Sequence, residues 1–337
     1  MQHRSPSSKK SVSPRPAIHA GPRTRWSGFR PMYDFWGNEL RRFFQLETLS
    51  SAVDHMLRTQ RDKFIVPSVM AALGPVQVKA LHFELFQEGR FQLIFRVRAS
   101  ADKRTEASFA LVVAKNHQEC SLVARNEYNI LQVLHERAPE HVVRPYRSGK
   151  IYLPDRHGRR ELGREVFAYM TQWLEGFEEL GVDKSLQFII NVQRRHVFSI
   201  AETEHLKGMI AEIIVRTYDP VQHTSMDMPE IASGDFVVRK SARGKLQLKL
   251  IACRRLLTRT GPARLTDKML QAHWSWGQRT LELMPDDPAV FYQALVRALG
   301  EQAAIEWVRD YAAAVSSGKL RNRRPEYLEH LRRQVVT

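Results

Sequence analysis

SFALVVAKNHQECSLVARNEYNILQVLHER, residues 108 to 137, sets two periods back to back. From Ser108 to Lys115 the apolar residues Phe109, Leu111 and Val113 recur at every second position, which predicts a strand, and Lys115 ends that row with an ammonium. From Leu122 to Arg137 the spacing becomes three and four, so that Val123, Glu127, Ile130, Leu131 and Leu134 share one face of a predicted helix. A carboxylate therefore sits on the stripe that should turn inward. Left unpaired there, it would be costly; in contact with Lys115, the two charges would satisfy each other and hold strand and helix in register. The plainer alternative is that Lys115 reaches solvent along its methylene stem and Glu127 lies at the margin of the stripe.

Upstream of this unit the period is also two. Leu81, Phe83 and Leu85 alternate with His82 and Glu84, and Leu93, Phe95 and Val97 alternate with Arg96 and Arg98, which predicts a hairpin turning at Gln87 to Phe91 around Gly89. Downstream, strands are expected near Lys150 to Leu153 and Val166 to Gln172, flanking the turn Asp155-Arg156-His157-Gly158. Beyond Gly176 the spacing predicts helices over Leu186 to Ile200 and Leu206 to Tyr218. A short hairpin of Phe236 to Arg239 with Leu246 to Ile251 follows, turning at Ser241-Ala242-Arg243-Gly244, and 265 to 334 read as mostly helical. The order is α+β, with two lobes and a cleft between them.

The chain of 337 residues is 43% hydrophobic and 26% charged, which is ordinary composition for a folded, soluble protein. No long apolar run or secretory signal is recognisable, so a cytoplasmic location is expected. Cys120 and Cys253 belong to no Cys/His cluster and read as buried thiols. The formal charge of +16 is concentrated early: Arg4, Lys9, Lys10, Arg15, Arg23, Arg25 and Arg30 precede the first acid, Asp34. This Ser-, Pro- and Arg-rich stretch predicts a disordered basic tail over 1–33, and helical spacing predicts an extension over 34–76. The tail, and a second basic run at Lys319, Arg321, Arg323 and Arg324, have two readings: solvated surface, or contact with nucleic acid or an anionic membrane. His135, His196, His205 and His223 show no metal-ligand spacing. His273, Trp274 and Trp276 read as packing in a helical stretch that could border an acceptor site, and Asp286 and Asp287 before Pro288 read as a helix cap.

From about residue 80 to 256 the chain resembles the protein-kinase-like phosphotransferases, in particular the aminoglycoside and choline kinase branch. LFQEGRFQLIFRVRA (85–99) resembles the hairpin over the nucleotide phosphates, ALVVAK (110–115) the strand with the phosphate-binding lysine, and ARNEYNILQVL (124–134) the helix with its paired glutamate. VFAYMTQWLEG (166–176) is similar to the segment joining the lobes. The resemblance implies a two-lobed fold, with an antiparallel sheet plus one helix over 77–172 and a mostly helical lobe over 173–337. It also implies ATP as cofactor, with Lys115 on the α- and β-phosphates, Glu127 orienting it, and adenine on the backbone of Thr171, Gln172, Trp173 and Leu174. Gly89 is the hairpin's only glycine, and Arg90 beside it would offer a cation to phosphate.

IASGDFVVRKSARGKLQLKLIACRRL (231–256) resembles the catalytic loop, hairpin and metal strand of that family, with Ser233-Gly234-Asp235 where His-Gly-Asp is usual. Asp235 would then accept or orient the proton of an attacking hydroxyl. The resemblance fails at the metal. Lys240 stands where an asparagine ligand is expected, and Ala252, Cys253 and Arg254 stand where Asp-Phe-Gly is expected, so Mg²⁺ loses its ligands. Either Lys240 and Arg254 supply fixed positive charge for metal-free nucleotide binding, or Asp219, Asp227 and Glu230 ligate metal in an altered loop. The expected function is accordingly a nucleotide-binding pseudokinase or atypical phosphotransferase. The alternatives are an active ATP-dependent kinase of a small-molecule or protein hydroxyl, and a basic scaffold bound to nucleic acid or membrane.

Overall fold

The computed structural model describes residues 22–27, 46–89, 91–101, 105–115, 118–153, 163–183, 185–190, 196–276, 279–321 and 324–336. The first lobe is built on a six-stranded sheet: β1 (Arg23–Ser27), β2 (Ala80–Glu88), β3 (Gln92–Ser100), β4 (Glu106–Ala114), β5 (Pro145–Leu153) and β6 (Arg164–Gln172), in the order β1-β2-β3-β4-β6-β5. Every pairing is antiparallel except β1 with β2.

The two faces of this sheet divide the apolar residues by parity. Leu81, Phe83, Leu93, Phe95, Phe109, Leu111 and Val113 point outward under α1 (Leu46–Arg58) and α2 (Ile65–Leu73), where Leu49, Val53, Ile65 and Val69 cover them. Val112, Ala114, Phe167 and Tyr169 point the other way, onto Ala124, Tyr128, Leu131 and Leu134 of α3 (Gln118–Arg137). The helical extension is thus the lid of the sheet's outer face, and α3 is the floor of its inner one. A bulge between Leu85 and Gln87 shifts the register, so Gln87 pairs with Ile94 and Glu88 with Leu93.

The second lobe carries α4 (Ile200–Arg216), α5 (Pro262–Gln271), α6 (Pro288–Leu299), α7 (Glu301–Ser316) and α8 (Pro325–Val336). Ser199 and Glu202 close a capping box at the start of α4. Asp287 caps α6 through the Ala289 N–H at 2.8 Å, as its place before Pro288 implies. Small strands line the lobe's upper side. β7 (Glu178–Glu179), β12 (Phe236–Lys240) and β13 (Leu246–Leu250) form one sheet; β8 (Gly181–Val182), β9 (Phe188–Ile190) and β10 (His196–Val197) form another. β11 (Ser225–Met226) pairs with β14 (Leu256–Leu257), and β15 (His273–Trp276) with β16 (Arg279–Glu282). The β12–β13 turn is closed by Gly244 at φ +77°, a left-handed conformation that costs glycine little. The fold is α+β, with the two-lobed, kinase-like arrangement that the resemblance implies. No helix of the described residues is long and apolar enough to cross a membrane.

Three expectations are corrected. Arg23–Ser27 is not disordered tail but an edge strand: Trp26 stacks on Phe83 with ring centroids 4.2 Å apart and donates its indole N–H to Asp54 at 3.0 Å. One aromatic anchor supplies the burial that the surrounding composition lacks. The described part of Leu186 to Ile200 is not helix before Ile200, and 191–195 lie outside the described residues: Phe188 and Ile190 are buried on alternate positions of β9, and the period of two wins over the helical one. The segment containing Trp274 is a strand, and its indole N–H is held by the Ile231 carbonyl at 2.8 Å. The rest of the tail, the turn at 155–158, Arg90 and Arg323 lie outside the described residues.

Candidate functional site

Asp235 ends a short 3₁₀ turn, Ser233–Asp235, that leads into β12, and it is 2% exposed. The turn is tight against β7: a Cβ added to Gly234 would run into the Glu179 carboxylate. Asp235 accepts the Ala232 N–H on Oδ2 at 2.8 Å, and its own carbonyl accepts the Ile251 N–H at 2.8 Å, which brings the segment after β13 alongside. That segment, between β13 and β14, delivers Arg254. Its Nη1 donates to Asp235 Oδ2 at 2.9 Å and its Nη2 to Oδ1 at 2.8 Å, a two-pronged, charge-assisted pair.

The same guanidinium faces the other lobe. Arg254 Nε lies 3.6 Å from Glu127 Oε2 on α3. Glu127 is 0% exposed, and its Oε1 accepts the Tyr169 hydroxyl at 2.5 Å and Gln92 Nε2 at 2.9 Å. One cation thus bridges a carboxylate from each lobe, with a side-chain exposure of 27%. Burial drives the Glu127 and Asp235 pKa values upward, and Arg254 opposes it at both. Burial also raises Tyr169 well above its usual range, with Glu127 adding to the effect. At Arg254 burial works in the opposite sense, but Asp235 and Glu127 outweigh it and its pKa rises. Beside it, burial pushes the Cys253 thiol up to about 12, so that sulfur stays protonated.

The expected pair of Lys115 and Glu127 is not made; the Lys115 ammonium pairs instead with Glu88. Parity is the reason. Val113 points to the outer face and Ala114 to the inner one, so Lys115 resumes the outer row, where the bulge has also placed Glu88 beside Leu93. Lys240 is not at the site either: its ammonium lies 2.7 Å from Glu202 at the start of α4, and through that hydrogen bond holds the Glu202 pKa down to about 2. Ala252 is buried and brings no ligand atom. Asp219 accepts the Val221 and Gln222 N–H groups and pairs with Arg137, Asp227 faces Arg255 at 3.4 Å, and Glu230 is exposed. Among the described residues no group of three or more His, Cys, Asp or Glu side chains could hold a metal ion. The residues present do not fit the Mg²⁺ that the fold family implies.

The segment expected to take adenine is engaged within the protein. Thr171 is buried in the β4–β6–β5 ladder, Gln172 N donates to the Arg144 carbonyl at 2.8 Å, and Trp173 N to the Ser108 carbonyl at 3.3 Å. The Leu174 carbonyl accepts from Phe177 N at 3.2 Å. The Trp173 ring meets the edge of Phe86 at 4.8 Å and carries the Arg96 guanidinium at 5.3 Å. Gly89 closes the β2–β3 turn through its N–H to the Gln92 carbonyl at 2.8 Å. Two further bridges join the hairpin to the second lobe: Gln87 Nε2 to Glu179 Oε2 at 2.8 Å, and Arg96 to Glu175 at 2.6 Å.

The site that forms therefore contains Glu127, Asp235 and Arg254 from the expected set, and Tyr169, Gln92, Gln87 and Glu179 besides. Tyr169 and Gln92 carried a signal, since each sits on the inner parity of its strand. Nothing local marked Glu179.

The fold on the page is a two-lobed α+β one, and a fold alone does not assign an activity. No family model matches the chain, and no curated protein matches it. Among solved structures it is similar to the apoenzyme of macrolide 2′-phosphotransferase from Brachybacterium faecium, at 13% identity over 79% of this chain and 95% of that one, with a TM-score of 0.31. A likeness that distant carries nothing about activity.

Proposed function

We propose that this protein is a kinase-like pseudoenzyme whose loop aspartate is neutralised from within by Arg254. The observation that carries the reading is the two-pronged pair of Arg254 with Asp235, extended across the cleft to Glu127. A carboxylate that serves as base for a hydroxyl needs an oxygen with room for that hydroxyl. Both Asp235 oxygens already accept guanidinium donors, and Oδ2 accepts the Ala232 N–H as well.

Charge argues the same way. Transfer of a phosphoryl group needs fixed or bound cations around the phosphates. Lys115 serves Glu88 on the other face of the sheet, and Lys240 serves Glu202 on α4. Of the expected cations among the described residues Arg254 remains, and two carboxylates balance it. With three lobe-to-lobe bridges also in place, the cleft is a strut that fixes the lobes rather than a place of turnover.

Calorimetric titration with ATP, with and without Mg²⁺, tests this. The expected result is no magnesium-dependent binding in the intact protein. Binding that appears only with Mg²⁺ would overturn the reading, because it requires metal ligands that the described residues of this cleft do not offer.

A further inference from the structure

Two buried acceptor atoms beside the Arg254 bridge, Glu127 Oε2 and Gln92 Oε1, make no hydrogen bond among the described residues. They belong to side chains already in contact, since Gln92 Nε2 donates to Glu127 Oε1 at 2.9 Å. An ionised carboxylate only accepts, so it cannot answer the carboxamide oxygen. A protonated carboxyl can: acid and carboxamide are complementary through two hydrogen bonds, N–H to the acid's oxygen and O–H back to the amide's. The first of these bonds is present, and the two atoms left over are the ones that the second would join.

The groups facing Glu127 leave room for that proton. Arg254, on the segment before β14, brings its Nε to 3.6 Å from Oε2, beyond hydrogen-bond reach. Its two Nη donors go to Asp235 at the head of β12. Tyr169 of β6 presents a hydroxyl to Oε1, and Cys253 is a thiol that stays protonated. β4 turns Lys115 to Glu88 on the outer face, and Lys150 of β5 pairs with Glu165. Two buried carboxylates thus share one guanidinium, and Glu127 holds it the more loosely. Burial favours the neutral form of Glu127, and Arg254 opposes it.

On the reading of the cleft as a strut, we propose that Glu127 is the proton-operated end of the interlobe bridge. As a carboxylate it holds Arg254 across the cleft. Protonated from solvent on Oε2, it pairs with Gln92 and leaves Arg254 to Asp235 alone.

Distances between two spin labels on the full chain test it. The labels sit on Tyr152→Cys in the first lobe and Val221→Cys in the second, both exposed positions, with Cys120→Ser removing the accessible native thiol and Cys253 buried. The Glu127 carboxyl carbon shift, followed in the same chain, is expected to titrate above 4.5. As pH falls through that transition the distance distribution should widen, with the same midpoint. Glu127→Gln and Arg254→Ala, checked for folding by circular dichroism, should be wide at every pH. A Glu127 that titrates at or below 4.5, or a distribution that stays narrow while it titrates, would overturn the proposal and leave the strut standing. A pH response that persists in Glu127→Gln would also overturn it, assigning the proton to another acid such as Glu175 or Glu179 of the neighbouring bridges. A parent as wide at high pH as Arg254→Ala would overturn the strut, and the proposal with it.

Discussion

Arg254 and Asp235 meet edge to edge, both guanidinium Nη atoms within 2.9 Å of the two carboxylate oxygens. The residue that stands at the end of the expected metal motif thus binds the loop aspartate directly. Removing it leaves Asp235 and Glu127 buried without their cation. Arg254→Ala should lower stability by about 2–3 kcal/mol, less than a fully buried pair because part of the side chain meets solvent. Urea unfolding measures this, and a loss below about 0.5 kcal/mol would show that the pair is not structural.

Lys115 and Glu88 should couple, and Lys115 and Glu127 should not. A double-mutant cycle with Lys115→Ala and Glu88→Ala is expected to give about 1–2 kcal/mol of interaction, and the cycle of Lys115 with Glu127→Gln about zero. The reverse pattern would restore the pairing expected from the sequence.

The pH dependence has a definite sign. Burial raises the folded-state pKa of Glu127 above its ordinary value of 4.5, so the folded protein binds the proton more tightly than the unfolded chain. The stability this gives is fully present below 4.5 and is lost as pH rises through the raised value. Glu127→Gln carries no such proton. Its stability relative to the parent should therefore grow as pH increases from 4.5, read from denaturation midpoints at each pH. A parent that gains on the variant over that range would contradict the assignment.

Lys240→Asn, the change toward the expected metal ligand, should act on α4 rather than on the cleft. The Glu202 pKa should climb from about 2 toward 4.5 once the Lys240 hydrogen bond is gone, as carboxyl carbon shifts in an NMR titration would show. Mg²⁺ should still find no site in that variant.

Trp26→Ala should loosen β1 from the sheet. The indole loses its stack on Phe83 and its bond to Asp54, and about 2 kcal/mol of stability is expected to go with them. Unchanged unfolding would mean that the strand contributes nothing to the lobe.

What the sequence made legible follows from period alone. Alternation placed β2, β3 and β4, the three-and-four spacing placed α3, and Gly244 marked its hairpin, because each pattern is local. The misreadings are places where a nonlocal fact decides. The register slip between Leu85 and Gln87 put Glu88 beside Lys115, and a slip in a strand cannot be read from composition. Which face of the sheet α3 covers, that of Ala114 rather than of Val113, is likewise a nonlocal fact. The Phe188–Ile190 run fits both periods over so few residues, and only pairing with β8 and β10 settles it. Arg254 was expected beside phosphates, and the group it meets in the fold is the Asp235 carboxylate.

The central claim is that Arg254 leaves Asp235 unable to serve as a base. Release of the γ-phosphate of ATP in the presence of Mg²⁺, across a panel of hydroxylated acceptors, should be the same background for the parent and for Asp235→Asn. Turnover in the parent that the Asp235→Asn change abolishes would contradict it.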